Sequence, residues 1–125
     1  MEKTVLICEF APARAGVLRR ALARFGISVR EVEREEYLLP LGYLAGVKGS
    51  LPLGGTYDGE PLPEEMLVFC YLTGEELDKA LLAMRKAGLA GIACKAVLTE
   101  TNSGWNCLQL YRELRREHEA MHKNG

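Results

Sequence analysis

The chain has 125 residues, 48% of them apolar and 26% charged, with 16 basic against 17 acidic side chains and a formal charge of −1. That is the length and composition of one ordinary globular domain, enough to bury a core without disulfides or a structural metal. The balanced charge argues against a nucleic-acid partner or an anionic membrane surface. The longest uncharged stretch, Tyr37 to Val47, is broken by Pro40, Gly42 and Gly46 and falls far short of the ~20 apolar residues of a membrane-spanning helix. The first ten residues carry Glu9 inside their apolar run and no small-residue cleavage site, so no signal peptide is expected and a cytoplasmic location follows. Cys8, Cys70, Cys94 and Cys107 never form a C-x-x-C pair and mostly lie in apolar segments, the pattern of reduced, buried thiols.

Val5 to Phe10 is a compact apolar run, which reads as a strand. Pro12 then opens a helix whose apolar positions Val17, Leu18, Ala21, Leu22 and Phe25 recur at helical spacing, and Gly26 stops it. Ile27 to Val32 alternates apolar and polar side chains as a second strand. The pattern restarts at Met66–Leu72. Thr73-Gly74-Glu75-Glu76 is a capping box, Leu77, Ala80, Leu81 and Met84 form the buried stripe, Gly88 is the stop, and Ala93 to Leu98 is the fourth strand. At an offset of 62 residues Cys8 falls on Cys70, Ala21 on Ala83 and Gly26 on Gly88, a pseudo-repeat of about 4–34 and 66–98.

Two tandem β-α-β units most economically predict a single α/β (α+β) domain of ferredoxin-like type, βαββαβ, with a four-stranded antiparallel sheet and both helices on one face. To this are added an insertion of about 35–64 between strands 2 and 3 and a C-terminal helix of about 104–122, whose stripe is Cys107, Leu110, Tyr111, Leu114 and Met121. Within the insertion, Tyr37 to Gly46 is too apolar to lie free in water, while Gly49 to Pro63 reads as a meandering surface loop. If Leu6, Cys8 and Phe10 face the helices, then Val5, Ile7, Glu9, Leu67, Phe69 and Tyr71 share the opposite, apolar face. Its expected cover is, in order, the C-terminal helix, a second subunit or a ligand.

The segments Pro40-Leu-Gly-Tyr-Leu-Ala-Gly46 and Lys95-Ala-Val-Leu-Thr-Glu-Thr-Asn-Ser-Gly-Trp105, with Leu67-Val-Phe69 and Glu75-Glu-Leu-Asp78 between them, resemble the bacterial domain-of-unknown-function family 3783. The resemblance covers most of Met66 to His118 and extends more weakly over the first half. It implies a small bacterial protein of a family with no established activity, and so carries no catalytic residue over.

His118-Glu119-Ala120-Met121-His122 matches H-E-x-x-H, which in a zinc protease sets two imidazoles on one helical face with the Glu beside a metal-bound water. Such sites take a third ligand downstream, and only three residues follow His122, so His118 and His122 are expected to bind metal adventitiously at most. No cofactor is expected. Thr99, Thr101, Asn102 and Trp105, with Lys95, can line a ligand or partner site, although Thr101, Asn102 and Ser103 are also good helix N-caps and Trp105 a helix anchor. Gly42, Tyr43 and Gly46 allow close approach of a partner or small ligand. Cys8 and Cys70 stand at equivalent points of strands that are neighbours in this fold, which makes a redox pair conceivable and inert core thiols the simpler expectation. Phe69 and Tyr71 have the parity of base-stacking residues, but the accompanying motif and positive charge are missing. The expectation is a non-catalytic binding, regulatory or protein-interaction module, with a second copy of the chain or another protein as candidate partner. The alternative is an enzyme or metal-binding protein using His118 and His122 or the segment Thr99–Trp105.

Overall fold

The computed structural model describes residues 2–124, and of residues 121–124 the backbone alone. The main elements in chain order are β1 (Thr4–Cys8), α1 (Pro12–Ala23), β2 (Ser28–Glu31), the single turn α2 (Leu41–Leu44), β3 (Met66–Cys70), α3 (Gly74–Lys86), β4 (Cys94–Val97) and α4 (Cys107–Asn124). Short 3-10 turns precede α2 and α4, at Arg34–Glu36 and Asn102–Gly104. Pro12 opens α1, where its missing N–H costs no hydrogen bond. The Thr73 and Glu76 side chains close a reciprocal capping box on α3. No helix among the described residues is long and apolar enough to cross a membrane.

This is a mixed α/β architecture, and its sheet corrects the expected topology. The strand order is β2-β1-β3-β4. β1 pairs parallel with β2, β3 pairs parallel with β4, and the two units join antiparallel through β1 and β3, with Thr4 opposite Cys70 and Cys8 opposite Met66. In the ferredoxin-like order β2 would pair with β3 through a short connection. Here about thirty residues separate them, which frees β2 to return beside β1 by the ordinary crossover through α1.

Facing is corrected as well. Val5, Ile7, Leu67 and Phe69 lie under α1 and α3, in one cluster with Leu18, Leu22, Ala80 and Met84. Leu6, Cys8, Met66, Val68 and Cys70 point the other way, against Tyr37, Leu41, Leu44 and Leu62 of the insertion and Cys107 and Leu110 of α4. The sheet is therefore covered on both sides, one layer of helices below and one of insertion plus α4 above. Every residue of β3 is buried. A strand buried on both faces reads as a continuous apolar run, and Met-Leu-Val-Phe-Cys is such a run. Burying Leu110 contributes about 1.5–3 kcal/mol to holding α4 down, and Tyr37 O accepts from the Cys107 N–H at 3.2 Å where the helix starts.

Candidate functional site

The upper layer brings together two stretches far apart in sequence. The Leu41 N–H donates to Trp105 O at 2.8 Å, and Gly42 lies so close to Ser103 that a Cβ there would overlap its Oγ. The turn α2 is thus seated on the 3-10 turn Asn102–Gly104, and the absence of a side chain at Gly42 is what allows it. Half-buried Tyr43 and Trp105 pack against the same core. Gly46 has φ 80° and ends α2, its N–H donating to Tyr43 O at 3.1 Å.

Within the Thr99–Trp105 segment, the side chains of Thr99 and Asn102 serve the fold. Asn102 is 8% exposed. Its Oδ1 accepts from the Thr99 N–H at 2.8 Å, its Nδ2 donates to Val97 O at 3.0 Å, and its own N–H donates to Thr99 Oγ1 at 3.1 Å. Thr101 is exposed and makes no side-chain cap. The residue that caps α4 is Asn106, whose Oδ1 accepts from the Gln109 N–H at 2.9 Å. Asn-x-x-Gln at the head of the apolar stripe is the signal that would have found it. Lys95 is not part of this junction. Its register partner is Leu67, on the side of α1 and α3, and its Nζ donates to Ile92 O.

Beside the junction is a cleft of about 640 Å³ between the loop Gly49–Gly54 and the residues Glu100, Ser103, Gly104, Asn106 and Gln109. The loop is held at Gly54, with φ 127°, where a Cβ would overlap Leu38 O. At its rim stand Leu51 and Leu53, 60% and 66% exposed, the most exposed large apolar side chains among the described residues.

A second cleft, of about 310 Å³, opens at the carboxyl ends of β1 and β2 and is lined by Glu9, Glu31, Glu33, Arg34, Glu35 and Tyr37, among others. Tyr37 Oη donates to Glu9 Oε2 at 2.6 Å, the Leu62 N–H donates to the same oxygen at 3.2 Å, and Arg34 Nη2 lies 3.9 Å from Oε1. Burial, and then the hydrogen bond to Glu9, push the Tyr37 phenol far above its ordinary range, so it stays a neutral donor. At the edge of the sheet Glu64 accepts from Tyr111 Oη at 3.0 Å and from Cys94 Sγ at 3.5 Å. Burial, followed by that contact, pushes the Cys94 thiol up to about 11, which keeps it protonated and a poor nucleophile.

Cys8 and Cys70 do not meet. The antiparallel register puts them at opposite ends of β1 and β3, and Cys70 Sγ contacts Val68 O instead. Cys8 faces Cys107, Sγ to Sγ 3.8 Å, with both side chains buried. Phe69 is buried under the helices and Tyr71 packs on the opposite face, so the pair shares no stacking platform. His118 lies on α4 and is half-buried, whereas the His122 side chain is outside the described residues. Among the described residues no three His, Cys, Asp or Glu side chains converge as a metal-binding group.

The fold defines the class first: an α/β protein of two β-α-β units, each with a parallel strand pair, under a C-terminal helix. Residues 65–121, which span β3, α3, β4 and most of α4, match the model of the family described as Domain of unknown function (DUF3783). The Pro40–Gly46 block lies outside the matched range. No curated protein and no solved structure matches the chain.

Proposed function

We propose that the chain is a single-domain, non-catalytic binding module of the cytoplasm, whose contact surface is the cleft between Gly49–Gly54 and Glu100–Gln109. The observation that carries this reading is the pairing of two highly exposed leucines, Leu51 and Leu53, with a cleft of about 640 Å³ whose other wall continues from the junction of α2 with the Asn102–Gly104 turn. Exposed apolar side chains over a polar wall suit a partner that supplies both apolar contact and hydrogen-bond acceptors. An enzymatic reading finds less support, because Asn102 and Thr99 are committed to each other and to Val97.

The test is a nitrogen-15 NMR titration of the full chain with a set of small amides and aromatic carboxylates, followed by native mass spectrometry with zinc. Shift changes clustered on residues 49–54 and 100–109, and lost in the double variant Leu51→Asp with Leu53→Asp, support the module. Shifts clustered at Glu9 and Tyr37, or stoichiometric zinc removed by His118→Ala, would overturn it.

A further inference from the structure

We infer that Cys8 and Cys107 are a redox clamp, a dithiol that closes to a disulfide and ties the start of α4 to the end of β1. Cys8 is the last residue of β1 and Cys107 the first of α4. Each backbone is held independently, Cys8 by its pairing opposite Met66 and Cys107 by its N–H bond to Tyr37 O. Between these two fixed points the sulfurs stand 3.8 Å apart, a non-bonded contact. A disulfide needs about 2.05 Å, so closure requires each sulfur to move by about 1 Å, within reach of small side-chain rotations. The other two thiols are turned to different partners, Cys70 to Val68 O and Cys94 to Glu64, which confines the chemistry to this pair.

The two sulfurs share one S–H···S contact, and the chemistry is the same whichever of them attacks first. With a hydroperoxide as oxidant, the Cys107 thiolate displaces hydroxide from the O–O bond and becomes a sulfenic acid. Cys8, its proton taken by the hydroxide set free in the first step, then attacks that sulfur, forming the S–S bond as the S–O bond breaks, and the departing hydroxide becomes water with the proton that Cys107 had given up. The two thiols lose two electrons and two protons in total, and one hydrogen peroxide becomes two waters. Both sulfurs are buried, so the step proceeds at the rate at which the start of α4 opens to admit a small oxidant. The oxidised state ties α4 covalently over the upper face of the sheet, where the reduced state holds it by packing and hydrogen bonds alone.

The experiment uses the full chain, fully reduced, then treated with hydrogen peroxide under native conditions, denatured and blocked with maleimide. The clamp predicts two blocked cysteines in place of four, a loss of two hydrogens in the intact mass, a Cys8–Cys107 cross-linked peptide, and a melting temperature higher by about 10 °C. The double variant Cys70→Ala with Cys94→Ala keeps the mass loss, the cross-linked peptide and the higher melting temperature, with no cysteine left to block, and Cys107→Ser loses them. Where Cys107→Ser does not fold, Cys8→Ala serves the same comparison. A disulfide that engages Cys70 or Cys94, oxidation of Cys107 to sulfinic acid with Cys8 still free, or an oxidised form that melts no higher than the reduced one would each overturn the inference.

Discussion

Glu9 and Tyr71, equivalent residues of the two β-α-β units, share a left-handed backbone, with φ of 62° and 67°. Each follows a strand, and at each the alternation of side chains reverses. Glu9 leaves the face of Val5 and Ile7 to meet Tyr37 above the sheet, Tyr71 likewise packs with the upper cluster, and the next residues, Phe10 and Leu72, drop to the lower one. A left-handed conformation costs an L-residue about 1–2 kcal/mol, and here it sends a carboxylate to Tyr37 and the Leu62 N–H.

Replacing Glu9 separates strain from contact. Glu9→Ala and Glu9→Gly both remove the carboxylate, but only alanine retains the strained φ, so Glu9→Gly is expected to be the more stable of the two by about 1 kcal/mol. Urea denaturation of both variants measures it. Equal midpoints would mean that the local backbone relaxes at no cost.

The α2 junction gives a second prediction. Gly42→Ala drives a methyl group into Ser103 Oγ, with Ser103 O only 3.3 Å from the added carbon, and is expected to destabilise by about 1–3 kcal/mol. Ser103→Ala removes the nearer obstacle, so the double variant should recover at least half of that loss. A double-mutant cycle showing simple additivity would place the cost of Gly42→Ala elsewhere.

Asn102 holds the connection between β4 and α4. Asn102→Ala leaves the Thr99 N–H and the Val97 carbonyl without their side-chain partner and should cost about 2–3 kcal/mol. Amide hydrogen exchange at Thr99 should accelerate in parallel. Unchanged stability would show that water replaces the amide there.

Alkaline pH should weaken the fold through its buried acids. Burial raises the Cys70 thiol to about 12, burial and the Glu64 contact raise Cys94 to about 11, and Cys8 and Tyr37 are also shifted upward. In the unfolded chain thiols ionise near about 8.5 and phenols near about 10. The folded state therefore binds more protons above about pH 8.5. Stability from these groups is complete below that value and is lost as pH rises, by about 1.4 kcal/mol per pH unit for each group in its window. For Cys94 the window runs from about 8.5 to about 11 and for Cys70 to about 12. Urea midpoints taken with reductant should fall steadily from pH 8 to pH 10; a flat profile would contradict the protonated core.

The elements were legible because they rest on local physics. The capping box Thr73–Glu76, Pro12 at the first turn of α1 and the apolar stripe of α4 each encode a helix within a few residues. The continuous runs of β1 and β3 also record burial on both faces, a signal masked when they are read by alternation alone. Alternation itself failed at Glu9 and Tyr71, since nothing in an ordinary Glu or Tyr announces a positive φ. Of the candidate site, Gly42 and Ser103 were visible as residues in two separate segments; their contact was not.

Two β-α-β units, their helix limits, the apolar insertion and the amphipathic C-terminal helix were thus written into the chain residue by residue, because propensity, capping and periodicity act over one turn or one strand. Long-range packing decided that β2 lies beside β1 instead of β3, that α4 and the insertion share one face, and that Cys8 meets Cys107 and not Cys70. Those choices depend on which surfaces fit when brought together across dozens of residues. The same apolar run satisfies either neighbour until packing selects one.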